Sequence, residues 1–153
     1  MFYLRMILSL TLQCSLVLIS VLNTNVQAKE VNQDAKYALV VGNGEYQVGP
    51  LKNATNDAIL MGKTLKSLGF TLIKNKVHLN VSKEELSLLI LDMGDTIKAK
   101  KGVGFFYFSG HGIQFEGENY LIPIGARLDR EEYVKIYGVP LDEVSRQFES
   151  AQT

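Results

Sequence analysis

Residues 105–112 read Phe-Phe-Tyr-Phe-Ser-Gly-His-Gly. Four consecutive aromatic residues need burial on both faces, and a central parallel strand receives it when helices cover both sides of its sheet. The two glycines let the chain turn sharply after this strand and leave His111 uncovered at its carboxyl end. Ligands and catalytic groups of open α/β sheets gather at that edge. The residue types alone leave open whether His111 is functional or sits in an ordinary turn.

The composition limits the classes of function. A chain of 153 residues holds at most one ordinary domain, and 46% hydrophobic residues are enough for a core. Lys and Arg together number 16, as do Asp and Glu, so the net charge is zero. This charge balance does not indicate the basic face that a nucleic-acid-binding protein needs, so we expect no nucleic-acid partner.

Residues 1–28 have the pattern of a secretory signal. Arg5 provides the positive start, residues 6–22 the apolar core, and Val26-Gln27-Ala28 the small-residue cleavage pattern. We therefore expect cleavage after Ala28 and a secreted or periplasmic protein. An uncleaved membrane anchor is the alternative, because the apolar run is close to the lower length limit for a membrane span.

The predicted signal segment also determines whether the mature chain contains a cysteine. Cys14 is the only cysteine and lies inside the segment that we expect to be removed. The mature chain would have no disulfide, no thiolate metal site and no cysteine nucleophile. Export suits a chain that has no free thiol to oxidise.

The first half of the mature chain alternates strands and helices. Residues 29–35 read as a polar leader, and residues 36–153 as the domain. Tyr37–Gly42 predicts a buried strand. Possible N-cap side chains at 53–57 and Gly69 delimit a helix whose apolar positions are Ala58, Ile59, Met61, Leu65 and Leu68. Asp57 lies in the first turn, where the helix dipole is sufficient to explain an acidic residue.

A second strand, Phe70–Ile73, precedes a polar link, Lys74–Asn80, in which we take His78 as a surface residue. Ser82 and Glu85 form a capping box. The helix that follows presents five apolar residues to the sheet: Leu86, Leu89, Ile90, Met93 and Ile97. It ends in a cluster of three lysines: Lys98, Lys100 and Lys101. We read the lysines as a solvated helix end.

The pattern changes after His111. Residues 113–115 and 119–123 flank Glu116-Gly117-Glu118, which predicts a β-hairpin. Charges at an exposed hairpin tip are common, so we do not take Glu116 and Glu118 as an acid–base pair. Residues 128–137 are charged and look irregular, and a last helix begins at 140–144 and runs to about Glu149.

The order β-α-β-α-β requires a parallel sheet with right-handed crossovers. The predicted fold class is α/β, a three-layer sandwich with a mostly parallel sheet, incomplete at its C-terminus and with a β-hairpin after the third strand. The aromatic strand is expected at its centre.

Other chemistries are poorly supported. Gly42-Asn43-Gly44 lacks the third glycine of a dinucleotide fingerprint, since residue 47 is Gln, and Gly49-Pro50 delays the helix. A functional surface loop is the better interpretation. Two scattered histidines without a helical ligand motif make a poor metal site, so we expect neither a metal nor a cofactor.

The combination of Gly42-Asn43, Asn56-Asp57-Ala58, Ser109-Gly110-His111-Gly112 and Glu118-Asn119-Tyr120-Leu121-Ile122-Pro123 resembles the large-subunit, or p20-like, domain of caspase-like cysteine peptidases. It resembles especially the bacterial and metacaspase-type members. The resemblance covers about 36–149. It implies a cysteine-type endopeptidase family in which a His works with a Cys thiolate.

Mapped by this resemblance, His111 matches the general acid–base and Gly112 the backbone donor to the oxyanion. The nucleophile matches nothing, because the family's Cys is expected about 50 residues after the His and the sequence ends 42 residues after His111 (153 − 111). Gly125 also stands where family members often carry an acidic residue. Ser109 is a poor substitute nucleophile, because Tyr107 occupies the first glycine of the Gly-x-Ser-x-Gly elbow.

The sequence thus predicts a truncated caspase-like domain that binds peptides or proteins and is inactive as written. A non-enzymatic module that binds peptides or a partner chain is the alternative. The missing strand would leave an open sheet edge suited to pairing with another chain.

Overall fold

The computed structural model describes residues 35–151. The proposed signal segment and Cys14 lie outside the described residues. The elements are β1 (Lys36–Gly42), α1 (Ala54–Ser67), β2 (Phe70–Leu72), β3 (His78–Leu79), α2 (Lys83–Lys100), β4 (Val103–Ser109), β5 (Gly112–Phe115), β6 (Glu118–Leu121), α3 (Tyr133–Tyr137), β7 (Val139–Pro140) and α4 (Leu141–Ala151).

Strand β1 is the centre of a four-stranded parallel sheet. It pairs with β4 along its whole length, Lys36–Gly42. Its other edge pairs first with β2, opposite Lys36–Ala38, and then with β3, opposite Val41–Gly42. The prediction that the aromatic strand is central was therefore wrong: among the described residues β4 pairs only with β1. Phe105 consequently remains 37% exposed.

Alternation along β1 produces the layers. Leu39 and Val41 face a core built with α2 and α4, whereas Ala38 and Val40 face a core built with α1. All four side chains are completely buried. Helices thus cover both faces of a parallel sheet, and the predicted α/β three-layer architecture is confirmed.

The two long helices differ in how well the sequence predicted them. In α2, the Ser82 hydroxyl accepts a hydrogen bond from the Glu85 N–H at 3.2 Å, and all five predicted core positions are buried. In α1, no side chain caps the N-terminus. Ile59 and Leu68 are exposed rather than buried, because only a narrow stripe of α1, centred on Ala58 and Leu65, contacts the sheet.

The segment Lys74–Asn80 is not a plain polar link. Its His78 belongs to β3, which pairs with the end of β1, and only 2% of this residue is exposed. The prediction of a surface histidine was wrong, because the imidazole turns inward and its Nε2 lies 3.1 Å from the Ile73 carbonyl oxygen. Strand β2 also ends earlier than predicted, and Ile73 begins a short 3₁₀ turn.

The second sheet is antiparallel, in the order β5-β6-β7. The predicted hairpin is present, with a two-residue turn in which Glu116 (φ 49°) and Gly117 (φ 85°) have the positive φ values of a type I′ turn. The charged segment 128–137 is not wholly irregular, since it contains α3. Strand β7, which no pattern indicated, pairs with β6 before α4 begins.

Among residues 35–151, no helix is long and apolar enough to cross a membrane. The same residues contain no group of three or more His, Cys, Asp or Glu side chains placed to hold a metal ion.

Candidate active site

His111 lies where the two sheets meet. Strand β4 ends at Ser109, and β5 begins at Gly112, so His111 lies in the connection at the carboxyl end of β4. The loop after β1 is fixed beside it, because the Asn43 N–H donates to the Ser109 carbonyl at 2.8 Å. The edge of the sheet at which α/β proteins bind ligands therefore carries both segments.

The imidazole of His111 is oriented by a backbone group. Its Nε2 atom lies 2.6 Å from the carbonyl oxygen of Gly49. A carbonyl can only accept, so Nε2 carries the hydrogen and, in the neutral ring, Nδ1 keeps the lone pair. Nothing within residues 35–151 forms a hydrogen bond with Nδ1 of His111. This nitrogen is the one available to accept and donate a proton.

Tyr46 supports His111 from the same loop. The two rings lie 4.4 Å apart between centroids at an angle of 51°. The phenolic oxygen accepts from the His111 N–H at 3.0 Å and donates to the Ile122 carbonyl at 2.8 Å. Tyr46 is buried, and this burial raises the pKa of its phenol despite the hydrogen bonds that act in the opposite direction.

Asn43 fixes the start of this loop. It is completely buried, and its Oδ1 accepts from the Val81 N–H at 2.9 Å. Its Nδ2 donates to the carbonyls of Val81 and Ile122 at 3.4 and 3.5 Å. One amide thus joins three segments that converge on the site.

Asn80 fixes the next part of the loop. Its Oδ1 accepts from the N–H groups of Gly44 and Glu45 at 2.9 and 3.2 Å. These two donors are the ones that a phosphate would need from a glycine-rich loop. Because a side chain already occupies them, the geometry argues against a phosphate site at Gly42–Gly44.

The backbone N–H of Gly112 lies on the side of β5 that faces away from β6. Ile122 N–H donates to the His111 carbonyl at 2.9 Å, which makes His111 and Ile122 a hydrogen-bonded pair. Pairs alternate along an antiparallel ladder, so the next pair, Gly112 and Leu121, is not hydrogen-bonded. The N–H of Gly112 therefore points away from β6, at the exposed edge of β5.

A cleft of about 620 Å³ opens at His111 and Gly112. It is within the size range of small-ligand and peptide pockets. Its charged wall residues are Arg127 and Asp129, which form an exposed ion pair at 3.3 Å. Gly125 also lines it. The cleft is bounded by Tyr46, Gln47, Val48, Gly49, His111, Gly112, Ile113, Ile122, Gly125, Ala126, Arg127, Leu128 and Asp129.

The structure separates the predicted candidates. It brings His111 and Gly112 together in the cleft, whereas Glu116 forms an ion pair with Lys135 and Glu118 accepts from the Tyr120 hydroxyl at 2.7 Å. The two glutamates are thus engaged elsewhere in the hairpin region. Ser109 makes no hydrogen bond to His111 among residues 35–151, so no Ser–His pair is assembled.

Sequence reasoning missed the residues that support His111, which are Asn43, Tyr46 and Gly49. Asn43 directly follows a buried strand, and Tyr46 is an aromatic residue within a polar loop. Both are signals that a loop packs inward. The Gly49 carbonyl leaves no such signal, because every residue has one.

One comparison with known proteins found a family match. The sequence profile of the caspase domain family matches residues 35–149. The search of curated proteins found no match.

Proposed function

The chain belongs to the caspase-domain family of cysteine-type peptidases, and on that premise we propose that residues 35–151 hold the acid–base and oxyanion-binding half of a peptide-cleaving site. The observation that carries the proposal is that His111 and Gly112 line one cleft. The Nδ1 atom of His111 is not bonded to the Gly49 loop, and the N–H of Gly112 is not bonded to β6.

His111 has the role of general acid–base. In a cysteine peptidase the thiolate attacks the scissile carbonyl carbon, and an imidazolium gives its proton to the leaving amine. The Gly49 carbonyl keeps a hydrogen on Nε2, so the transferred proton is the one on Nδ1. The hydrogen bond that Nε2–H donates to this carbonyl also keeps the ring from rotating away from the cleft.

Gly112 has the role of oxyanion donor. Attack places a negative charge on the carbonyl oxygen of the peptide, and a preorganised N–H group stabilises this charge. The N–H of Gly112 follows His111 directly and points outward from β5. An added Cβ at Gly112 would make only an ordinary van der Waals contact with the Tyr120 carbonyl oxygen, at 3.6 Å, so an alanine at this position would keep the N–H in place.

The nucleophile is the part that residues 35–151 do not supply. Cys14 is the chain's only cysteine, and no thiol lies within residues 35–151. Without a nucleophile no acyl-enzyme can form. We expect the chain by itself to bind peptides in the cleft without cleaving them.

Peptide titration tests the binding role. The ¹⁵N-labelled chain is titrated with a panel of extended octapeptides, and we expect the amide signals of His111 and Gly112 to shift. Gly112→Pro removes the proposed donor without removing a ladder bond and should weaken binding by up to about tenfold, the value of one hydrogen bond. Gly112→Ala, which keeps the N–H, is the matched control. Equal affinity of the two variants would refute the donor role.

A cleavage assay tests the predicted inactivity. Fluorogenic peptides with acidic, basic and apolar residues before the scissile bond are incubated with the purified chain, and no turnover is expected. Turnover that disappears in His111→Ala would show that another group acts as nucleophile and would overturn this part of the proposal.

A binding module is the second candidate, and the free edge of β4 favours it. Within residues 35–151 this seven-residue strand pairs on one side only, and Val103 and Phe105 are partly exposed along it. An unprotected edge of this length accepts a strand from another chain. A monomeric chain at high concentration would argue against this candidate.

A further inference from the structure

We propose that Tyr46 is a positioning residue for His111: its hydroxyl takes the place of a backbone hydrogen bond between His111 and Ile122 and so sets the direction of the imidazole. The importance of this role rests on the acid–base function proposed for His111. The geometry that supports it does not depend on that function.

The first observation is an incomplete backbone pair. A hydrogen-bonded pair of an antiparallel ladder exchanges two N–H···O bonds. His111 and Ile122 exchange one, from Ile122 N–H to the His111 carbonyl at 2.9 Å. In place of the second, the His111 N–H donates to the Tyr46 hydroxyl at 3.0 Å, and this hydroxyl donates to the Ile122 carbonyl at 2.8 Å. The phenol bridges the pair as an ordered water would.

The second observation is the space that the hydroxyl occupies. A Cβ added to Gly110 would lie 2.6 Å from the Tyr46 hydroxyl oxygen and 2.7 Å from the Phe108 ring. Real Cβ atoms do not approach neighbouring atoms this closely. The first glycine of the Ser-Gly-His-Gly turn therefore leaves room for Tyr46, which makes the turn and the Tyr46 loop complementary parts of one site.

The third observation is that one loop holds His111 at two points. Tyr46 holds its backbone N–H and contacts its ring, while Gly49, three residues later, accepts from Nε2 at 2.6 Å. Because both points are held, the ring keeps its hydrogen on Nε2. The Nδ1 atom then remains available in the cleft. Without the hydroxyl, the His111 N–H would lose the acceptor that holds it, and the backbone of His111 would be free to move relative to β6.

Burial supports the donor role of the phenol. Because burial raises the pKa of Tyr46, the hydroxyl keeps its proton throughout the neutral pH range. It can therefore accept from His111 and donate to Ile122 at the same time.

Tyr46→Phe tests the proposal by removing one oxygen atom. The ¹⁵N spectrum of the imidazole is recorded at pH 8 in the full chain. We expect the Nε2–H tautomer alone in the wild type and a mixture of both tautomers in the variant. Hydrogen exchange at the His111 amide should become at least tenfold faster. A loss of stability alone, with the tautomer and the exchange rate unchanged, would overturn the proposal.

Tyr120→Phe is the matched control. Tyr120 is buried on the neighbouring strand, and its hydroxyl donates to Glu118 rather than to the His111 segment. This variant should leave the His111 tautomer unchanged. If it changes the tautomer as much as Tyr46→Phe does, the effect is a general loosening of the sheet and the proposal fails.

A second measurement needs no variant. The shielded hydroxyl proton of Tyr46 should give a nuclear Overhauser effect to the amide proton of His111, and its absence would contradict the bridge. These readouts concern the imidazole itself. Failure of peptide binding would therefore refute the proposed function while leaving the role of Tyr46 intact.

Discussion

The carbonyl oxygen of Gly49 lies 2.6 Å from Nε2 of His111, although 62 residues separate the two along the chain. The loop after the first strand thus orients the side chain that follows the fourth. A backbone carbonyl does this without a titratable partner, so the orientation does not depend on the ionisation of a neighbouring carboxylate. His111 can change its protonation while its partner stays the same.

Gly49→Ala should disturb this contact. Gly49 has φ +66°, and an added Cβ would lie 3.3 Å from Nε2 of His111. An L-residue in this left-handed region costs about 1–2 kcal/mol. We expect that loss in the free energy of unfolding, measured by urea titration, together with a shift of the His111 ring signals in the NMR spectrum.

Gly117→Ala separates the two effects. Gly117 has φ +85°, and no heavy atom lies within 4 Å of its added Cβ. This variant should lose a similar amount of stability while the His111 signals stay in place. If the ring signals are equally unaffected by Gly49→Ala, the contact does not orient the imidazole.

The fold was predictable where an element carries its own pattern. Helix α2 was predicted with its cap and its buried face, because a long amphipathic sequence specifies both. Strands β3 and β7 were not predicted, since each has two residues and exists only through pairing with β1 or β6. The central position of β1 was missed because burial was assigned to the more aromatic strand.

The site was predictable to the extent that its chemistry depends on residue type. His111 and Gly112 could be named from the sequence, because an imidazole between two glycines after a strand is distinctive. Tyr46 and Asn43 act through contacts with Ile122, which lies more than 70 residues further along the chain. The local pattern indicates that this loop packs inward, but it does not identify Ile122 as the partner.

Asn43→Ala should destabilise the fold. The Val81 and Ile122 carbonyls keep other partners, since they accept from the Ile124 N–H and the Tyr46 hydroxyl. Among residues 35–151 the Val81 N–H has no acceptor besides the Asn43 Oδ1, and an unsatisfied buried donor costs about 1–3 kcal/mol. We expect a loss of this size in the free energy of unfolding in urea.

Asn119→Ala is the control for this prediction. Asn119 is exposed on β6, and its change should alter stability by no more than about 0.5 kcal/mol. Equal effects of the two variants would mean that the Asn43 amide contributes nothing beyond its side-chain volume.

His78 should make stability depend on pH. Burial lowers the pKa of its imidazole below the usual 6.5, and Lys76 and Lys74 act in the same direction, against the Ile73 carbonyl and Glu85. Between the folded and unfolded pKa values the unfolded chain binds more protons, so the free energy of unfolding falls as the pH drops below about 6.5. The loss stops below the folded pKa.

The variant His78→Gln tests this dependence, because an amide can still donate to the Ile73 carbonyl but does not titrate. Urea unfolding at a series of pH values from 8 to 5 should show a shallower slope for the variant than for the wild type. Lys76→Gln, which removes a neighbouring cation, should move the His78 titration to higher pH in NMR spectra. An unchanged slope in His78→Gln would place the acid sensitivity in other groups.

Phe105→Lys should prevent association through the free edge of β4. Within residues 35–151 that strand pairs only with β1, and Phe105 and Val103 are 37% and 49% exposed. Light scattering should show concentration-dependent association of the wild type, because an apolar strand edge without charge, proline or bulge pairs readily with another. The substitution Phe105→Lys places a charge at this edge, so the variant should remain monomeric.

The control is Leu60→Lys on α1, at a position 66% exposed, which should associate as the wild type does. If the wild type is itself monomeric at every concentration, the edge is protected in the whole chain and the binding-module candidate loses its support.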